Sequence, residues 1–301
     1  FLPRARAAGA RIWTQARATA VRFEEGRAVG IDARLPDGHA LTVKAPVVVL
    51  SCGTIHTPAF LLSQAIGNSS GLVGRGLTIH PATRIASQFD EVIEGWHGVP
   101  QGYGVHRFQE EGIQLEGIQG PPGLIAPTLP FVGRAFQELI RDLRKVAVFG
   151  GMIKDGPNGR VRVWRGRPLV TYWLSREDRA KAQRMMGLIA EALLEAGAKR
   201  VLLPVMGFPE IRDRDELERF RAKRLKASQF EMMAFHPLGT CRMGTDPTKS
   251  VVGPYGQSHD VPGLWIADGS VVPTSLGVNP QITIMSLAMR TAGAILATTG
   301  K

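Results

Sequence analysis

The sequence predicts an α/β fold in which a discontinuous nucleotide-binding domain is interrupted by an α+β domain with an antiparallel sheet. Three observations predict it. Val47 to Leu50 is a short, wholly apolar run followed by the turn residues Ser51-Cys52-Gly53 and by Thr57-Pro58, the strand, glycine turn and helix of a doubly wound, Rossmann-like unit. Near the other end Leu264 to Ala267 repeats the pattern, closed by Asp268-Gly269-Ser270 and followed by a helix opening at Asn279-Pro280. Between them the period changes to two, as in Thr83 to Phe89, which is the spacing of half-buried antiparallel strands. These shifts place domain limits at 1–82, 83–229 and 230–301, the outer two forming one domain.

Taken in order, Arg11 to Phe23 and Ala28 to Leu35 are rich in Val, Ile and Thr, with Gly26 between them. Pro36-Asp37-Gly38 is a turn signal, so Ala40 to Ala45 forms a hairpin with the preceding strand. Thr57 and Pro58 suit a helix cap and first position, so the next helix is expected over Ala59 to Ile66. Further strands are expected over Gly102 to Phe108, Gln114 to Gln119 and Arg160 to Trp164. Phe131 to Lys145 carries helical spacing at Phe136, Leu139, Ile140 and Leu143. Arg176 to Ala196 starts at the cap Ser175, has Asp178 three residues on, and stops at Gly197. The last helix runs from Asn279-Pro280 to about Ala297, with Asn279 as its cap.

Composition narrows the function classes. Apolar residues make up 44% and charged residues 21% of 301, which is ordinary for a globular chain with a sizeable core. No unbroken apolar run reaches the roughly 18 residues of a membrane span. Two cysteines, Cys52 and Cys241, cannot build a disulfide framework and form no metal-binding CxxC; no metal is expected. The net charge of +11 raises nucleic acid or an anionic membrane as partners. The basic runs Arg141 to Lys145, Arg160 to Arg167 and Arg219 to Lys226 accompany no nucleic-acid motif, and the last follows the acids Asp213 to Glu218 as on a solvated helix face. No nucleic acid is expected. The apolar stretch Pro121 to Phe131 beside a basic helix keeps membrane association open, as well as a packed segment or a substrate-entry loop. No signal peptide is recognisable, so a cytoplasmic or membrane-associated location is expected.

Four segments carry chemistry-bearing residues: SCGTIHTPAFLLSQAIG from Ser51, GLVGRGLTIHP from Gly71, FHPLGTCRMG from Phe235, and LWIADGSVVPTSLGVNPQITIMSLA from Leu264. Taken alone, His236 before Pro suits a satisfied structural histidine, Asn279 an N-cap, and Asp268 a strand-closing turn residue. In order and content the four segments together resemble the glucose–methanol–choline (GMC) FAD-dependent oxidoreductases, over essentially the whole chain. The last two look most like the long-chain alcohol oxidase branch.

The resemblance implies FAD, bound covalently or not, and oxidation of an alcohol to a carbonyl. His236 falls on the family's catalytic histidine and Asn279 on its second active-site residue. Asp268, Gly269, Pro280, Gln281, Ile282, Gly53 and Val21 fall at positions implied to lie against the cofactor. His80 falls where the chain leaves the flavin domain and is given a structural role. Chemically, hydride leaves an alcohol carbon when the hydroxyl proton is removed, for which imidazole is the suitable base near neutrality. A helix N-terminus would favour the negative charge gained by a reduced flavin. The implied substrate is a small, apolar alcohol. A flavin-fold lyase and a non-catalytic chain binding an apolar ligand or membrane surface are the competing functions. Two departures stand out. Gln64-Ala65-Ile66-Gly67 replaces the family's Ser-Gly-Ile-Gly. No GxGxxG follows an early strand, so a missing N-terminal FAD-binding segment, and weak flavin binding by this chain alone, are expected.

Overall fold

A computed structural model describes residues 1–300. A short helix α1 (Leu2–Ala7) precedes a three-stranded meander of β1 (Arg17–Glu24), β2 (Arg27–Arg34) and β3 (Ala40–Lys44). Next come β4 (Val48–Leu50), α2 (Gly53–Ser63), β5 (Arg75–Leu77), β6 (Ala82–Gln88), β7 (Gly104–Val105) and β8 (Ile113–Gly117). Helices α3 (Pro122–Ile125) and α4 (Gly133–Arg141) lead to β9 (Val146–Ile153), β10 (Gly159–Trp164) and β11 (Arg167–Thr171). The long helix α5 (Arg176–Glu195), β12 (Arg200–Leu202), β13 (Glu210–Ile211), α6 (Arg214–Ala222), β14 (Leu264–Ile266) and α7 (Gln281–Thr299) complete the chain.

The molecule is α/β, as the sequence predicts. Strands β4 and β14 pair in parallel, Val48 opposite Leu264, and both are buried with Val21, Leu61, Val252 and Cys241 in one core. A six-stranded antiparallel sheet in the order β13-β12-β6-β9-β8-β7 packs one face on α5. There Ile85, Ile113, Ile153, Met185, Met186 and Ile189 form the largest core, so the methionines of α5 are packing residues. The other face of this sheet, carrying Ala82, Arg84, Glu116 and Met152, lines a cleft.

Helix α5 starts as expected: Ser175 accepts the Asp178 N–H at 3.1 Å and donates its hydroxyl to the Asp178 carboxylate. Other elements differ from expectation. Residues 11–16 stay outside β1, with Gln15 at φ 59°. Residues 102–108 reduce to the two-residue β7. Strand β10 belongs to a separate sheet, β11-β10-β5. The central strand β9 is not among the expected strands. Helix α2 begins six residues before Ala59, with Pro58 inside it. Pro58 leaves the Thr54 carbonyl without its helical donor, and the Thr240 hydroxyl supplies one at 2.6 Å.

The stretch Pro121 to Phe131 is a packed segment in the main, with Ile125 and Leu129 buried against Leu139, Leu143 and Val148. Helix α7 has 19 residues and a mean hydropathy of 1.3, long and apolar enough to cross a membrane by length and composition, although no unbroken apolar run marks it. Its midpoint is tied to the body: Thr291 is buried and Arg290 donates to the Pro254 carbonyl. Ile282, Met289 and Leu296, seven residues apart, leave an apolar stripe exposed.

Candidate active site

The four sequence segments meet around Asp268. Its carboxylate accepts the Gly53 N–H at 3.0 Å and the Thr57 hydroxyl at 2.6 Å, at the start of α2, and its own turn's Ser270 N–H at 2.8 Å. A carboxylate at a helix N-terminus satisfies free amides and complements the dipole. Helix α2 is therefore capped from 215 residues away, which is why no local cap residue marks its start. Gly269 lies beneath this joint, where a Cβ would come within 2.9 Å of Thr54 Oγ1 and 3.2 Å of the Pro237 carbonyl. Thr54 donates its hydroxyl to that same carbonyl at 2.6 Å and so holds the His236-Pro237 segment.

Residues 78–82 and 233–238 run antiparallel, joined by bridges Thr78–Leu238 and Ala82–Met233. This register sets His80 against His236, ring centroids 5.3 Å apart and 75° between planes. His80 is fully buried and left-handed at φ 49°. Its Nε2 accepts the N–H groups of Leu276 and Gly277 at 2.9 and 3.0 Å, fixing the loop that ends in Asn279. Two N–H donors on one ring nitrogen require that nitrogen to be unprotonated. Burial, His236 and Lys154 together hold the His80 pKa down to about 4. Asp155 braces the same joint: it accepts from the Ile79 and His80 amides and from the Ser275 and Tyr172 hydroxyls. Burial pushes its pKa up, against these four hydrogen bonds.

His236 and Asn279 line one cleft of about 710 Å³. Its walls are largely apolar, with Ile118, Met152, Met233, Phe235, Ile284 and Met285, and its two charged residues are Arg84 and Glu116. The His236 ring is half-buried with no hydrogen-bond partner among the described residues, and burial lowers its pKa from the ordinary histidine value. It is thus a neutral imidazole with a free nitrogen at neutral pH. Asn279 is exposed in the cleft and is not the cap of α7: Pro280 holds that position, and the Asn279 amide donates to Glu116 instead.

The structure sorts the remaining sequence-derived positions. Pro280, Gln281 and Ile282 lie at the N-terminus of α7, and Pro280 and Gln281 line the cleft. The first intrahelical bond there is Ile284 N–H to Pro280 O, and no side chain caps the turn, so the amides of residues 281–283 are free. Such a donor set at the mouth of an apolar cleft fits the electron-rich pyrimidine edge of a flavin. Gly269 lies against Ile284 of α7, and the neighbouring Asp268 carboxylate is already engaged by Gly53, Thr57 and Ser270. Val21 is not brought to the cleft; its side chain is in the core and its N–H donates to Gln64 at 2.9 Å. Arg84, Glu116 and Asp155 were not flagged by the sequence, because each acts through a partner distant in the chain. Cys241 is a buried thiol with its pKa pushed up by burial, unsuited to redox work.

Two GMC oxidoreductase family models match the chain, one over residues 1–82 and one over residues 157–288. An uncharacterized GMC-type oxidoreductase of Mycobacterium tuberculosis is 37% identical over 292 residues, covering 97% of this chain and 46% of the relative. A long-chain-alcohol oxidase of Arabidopsis thaliana is 27% identical over 278 residues, covering 82% of this chain and 36% of the relative. Among solved structures, the fold matches a formate oxidase of Aspergillus oryzae studied for its FAD modification, with TM-score 0.68 and 15% identity over 94% of this chain and 60% of that one. The chain spans about half the length of the curated relatives it matches. The family and these structural neighbours are FAD-binding flavoproteins. With family models matching residues 1–82 and 157–288, this chain belongs to the GMC oxidoreductase family.

Proposed function

We propose that the protein oxidises an apolar alcohol to a carbonyl compound, with His236 as base and Asn279 as the group that holds the alcohol oxygen. The observation that carries this is the shared cleft, in which an unpartnered, neutral imidazole and a primary amide face a helix N-terminus. FAD, when bound, supplies the acceptor for the hydride that leaves the alcohol carbon. The hydroxyl proton passes to the free nitrogen of His236, whose lowered pKa keeps it ready to accept at neutral pH. An amide hydrogen of Asn279, on the wall of the same cleft, would hold and orient that oxygen. The apolar walls favour an alkyl substituent over a polyhydroxylated one. The name of the Arabidopsis relative supports the same substrate class.

The test is anaerobic mixing of the flavin-loaded protein with 1-decanol, following flavin absorbance. Bleaching is expected, and His236→Gln should slow it by about a hundredfold or more. A near-unchanged rate in that variant would sink the assignment of the base. Conversion of substrate without any bleaching would favour a lyase.

A further inference from the structure

We propose that Glu116 is a positioning residue that sets the orientation of the Asn279 amide. The proposal rests on the reading of Asn279 as a substrate contact. Asn279 Nδ2 donates to Glu116 Oε1 at 2.9 Å, between residues 163 apart in the chain. The pair, together with Gln101, borders both the 710 Å³ cleft and a second cleft of about 380 Å³.

Glu116 is aimed there by the sheet. On β8 its neighbour Leu115 points into the core, so Glu116 must face the other way, toward the cleft. Both of its cross-strand partners are glycines, Gly104 on β7 and Gly150 on β9. No directly cross-strand side chain competes for the carboxylate. Arg84, opposite Gly150 on β6, stands two strands away, about 10 Å by ordinary strand spacing. Asn279 is the side-chain hydrogen-bond partner of Glu116 among the described residues.

A carboxylate only accepts, so it selects the nitrogen end of the amide and excludes the flipped rotamer. One Nδ2 hydrogen is held by Glu116. The other, and Oδ1, are left in fixed directions for the substrate. Asn279 is free for this because Pro280, not Asn279, occupies the cap position of α7. The bond lies at the exposed side of the cleft, where a charged hydrogen bond adds little to stability. Its effect is on geometry at the reacting oxygen rather than on folding.

Two measurements test it. In the ¹⁵N-labelled protein, the Asn279 side-chain hydrogen facing Glu116 should lie downfield of its position in a free carboxamide, and Glu116→Ala should return it to that position. An unchanged shift would overturn the hydrogen bond itself. In the flavin-loaded protein, Glu116→Ala should lower the limiting rate of flavin reduction by 1-decanol about tenfold, an ordinary cost for a lost orienting contact. Substrate affinity and melting temperature should change little, and Glu116→Gln, whose oxygen can accept the same N–H, should recover part of the rate. In an Asn279→Ala background, Glu116→Ala should have no further effect. Equal losses in both backgrounds would overturn the positioning role while leaving Asn279 catalytic. An Asn279→Ala variant with wild-type rate would remove the catalytic reading, and the proposal with it.

Discussion

Ser275 and Asp155 exchange two hydrogen bonds, the Ser275 hydroxyl donating to Asp155 Oδ1 at 2.8 Å and the Asp155 N–H donating to Ser275 Oγ at 3.2 Å. Both residues are buried, and Asp155 also receives the Ile79 and His80 amides and the Tyr172 hydroxyl. This joint fixes the strand end bearing His80 and the loop leading to Asn279. Asp155→Ala leaves four donors without their acceptor and is expected to cost about 3 kcal/mol or more, since each unsatisfied buried group costs about 1–3 kcal/mol. Ser275→Ala should cost about 1–2 kcal/mol. Urea unfolding measures both.

Stability should also depend on pH through His80. Its pKa is about 4 in the fold, against an ordinary value of 6.5, so the unfolded chain binds the proton more readily. Stability from this group is complete above pH 6.5 and is lost as pH falls toward 4, by roughly 3 kcal/mol in all. The raised pKa of Asp155 acts in the opposite direction, adding stability as pH falls toward 3.8. Denaturation curves between pH 4 and 7.5 should show the loss, and His80→Asn should flatten the part due to the imidazole.

The pH dependence of catalysis should follow His236. Burial lowers its pKa, so the base stays unprotonated down to below pH 6.5 and its activity is lost on further acidification. Rapid-mixing measurements of flavin reduction should find an acid limb with its midpoint below 6.5. A midpoint above that value would contradict a desolvated base.

Ala65 adopts φ 54° at the end of α2, where the Ile66 N–H reaches back to the Leu61 carbonyl and the Ala65 N–H to Leu62. This helix ending favours glycine at the left-handed position. Alanine there carries about 1–2 kcal/mol of strain. Ala65→Gly relieves it and loses part of the gain to unfolded-chain entropy, for a net stabilisation of about 0.5–1 kcal/mol. A rise in melting temperature checks this.

What the sequence revealed depended on how local the determinants are. Helix α5 was legible because Ser175, Asp178 and Gly197 lie within its own span. Strand β14 was legible because four consecutive apolar residues end at a turn. Helix α2 was misplaced because its cap, Asp268, comes from the other end of the chain and because Pro58 inside it has its carbonyl debt met by Thr240. Strand β9 was hidden by Gly150 and Gly151, which weaken the strand pattern. The second of these is needed because a Cβ would lie 2.8 Å from both Met185 Sδ and the Gln114 carbonyl. His236 and Asn279 were named from family resemblance. Their setting of Glu116, His80 and Asp155 was not legible, since those contacts join residues far apart in sequence.

The parallel pair β4–β14 has a kinetic consequence. Its strands, and the Asp268 cap that follows, close a loop of more than two hundred residues. Closing so long a loop has an entropic cost that must be met before its contacts give any return, and long-range pairing slows folding. The antiparallel hairpins β1–β2, β10–β11 and β7–β8 need no such closure and can form early. The cleft, whose His236-Pro237 segment is held by Thr54 and whose wall includes the start of α7, would then be among the last parts of the molecule to mature.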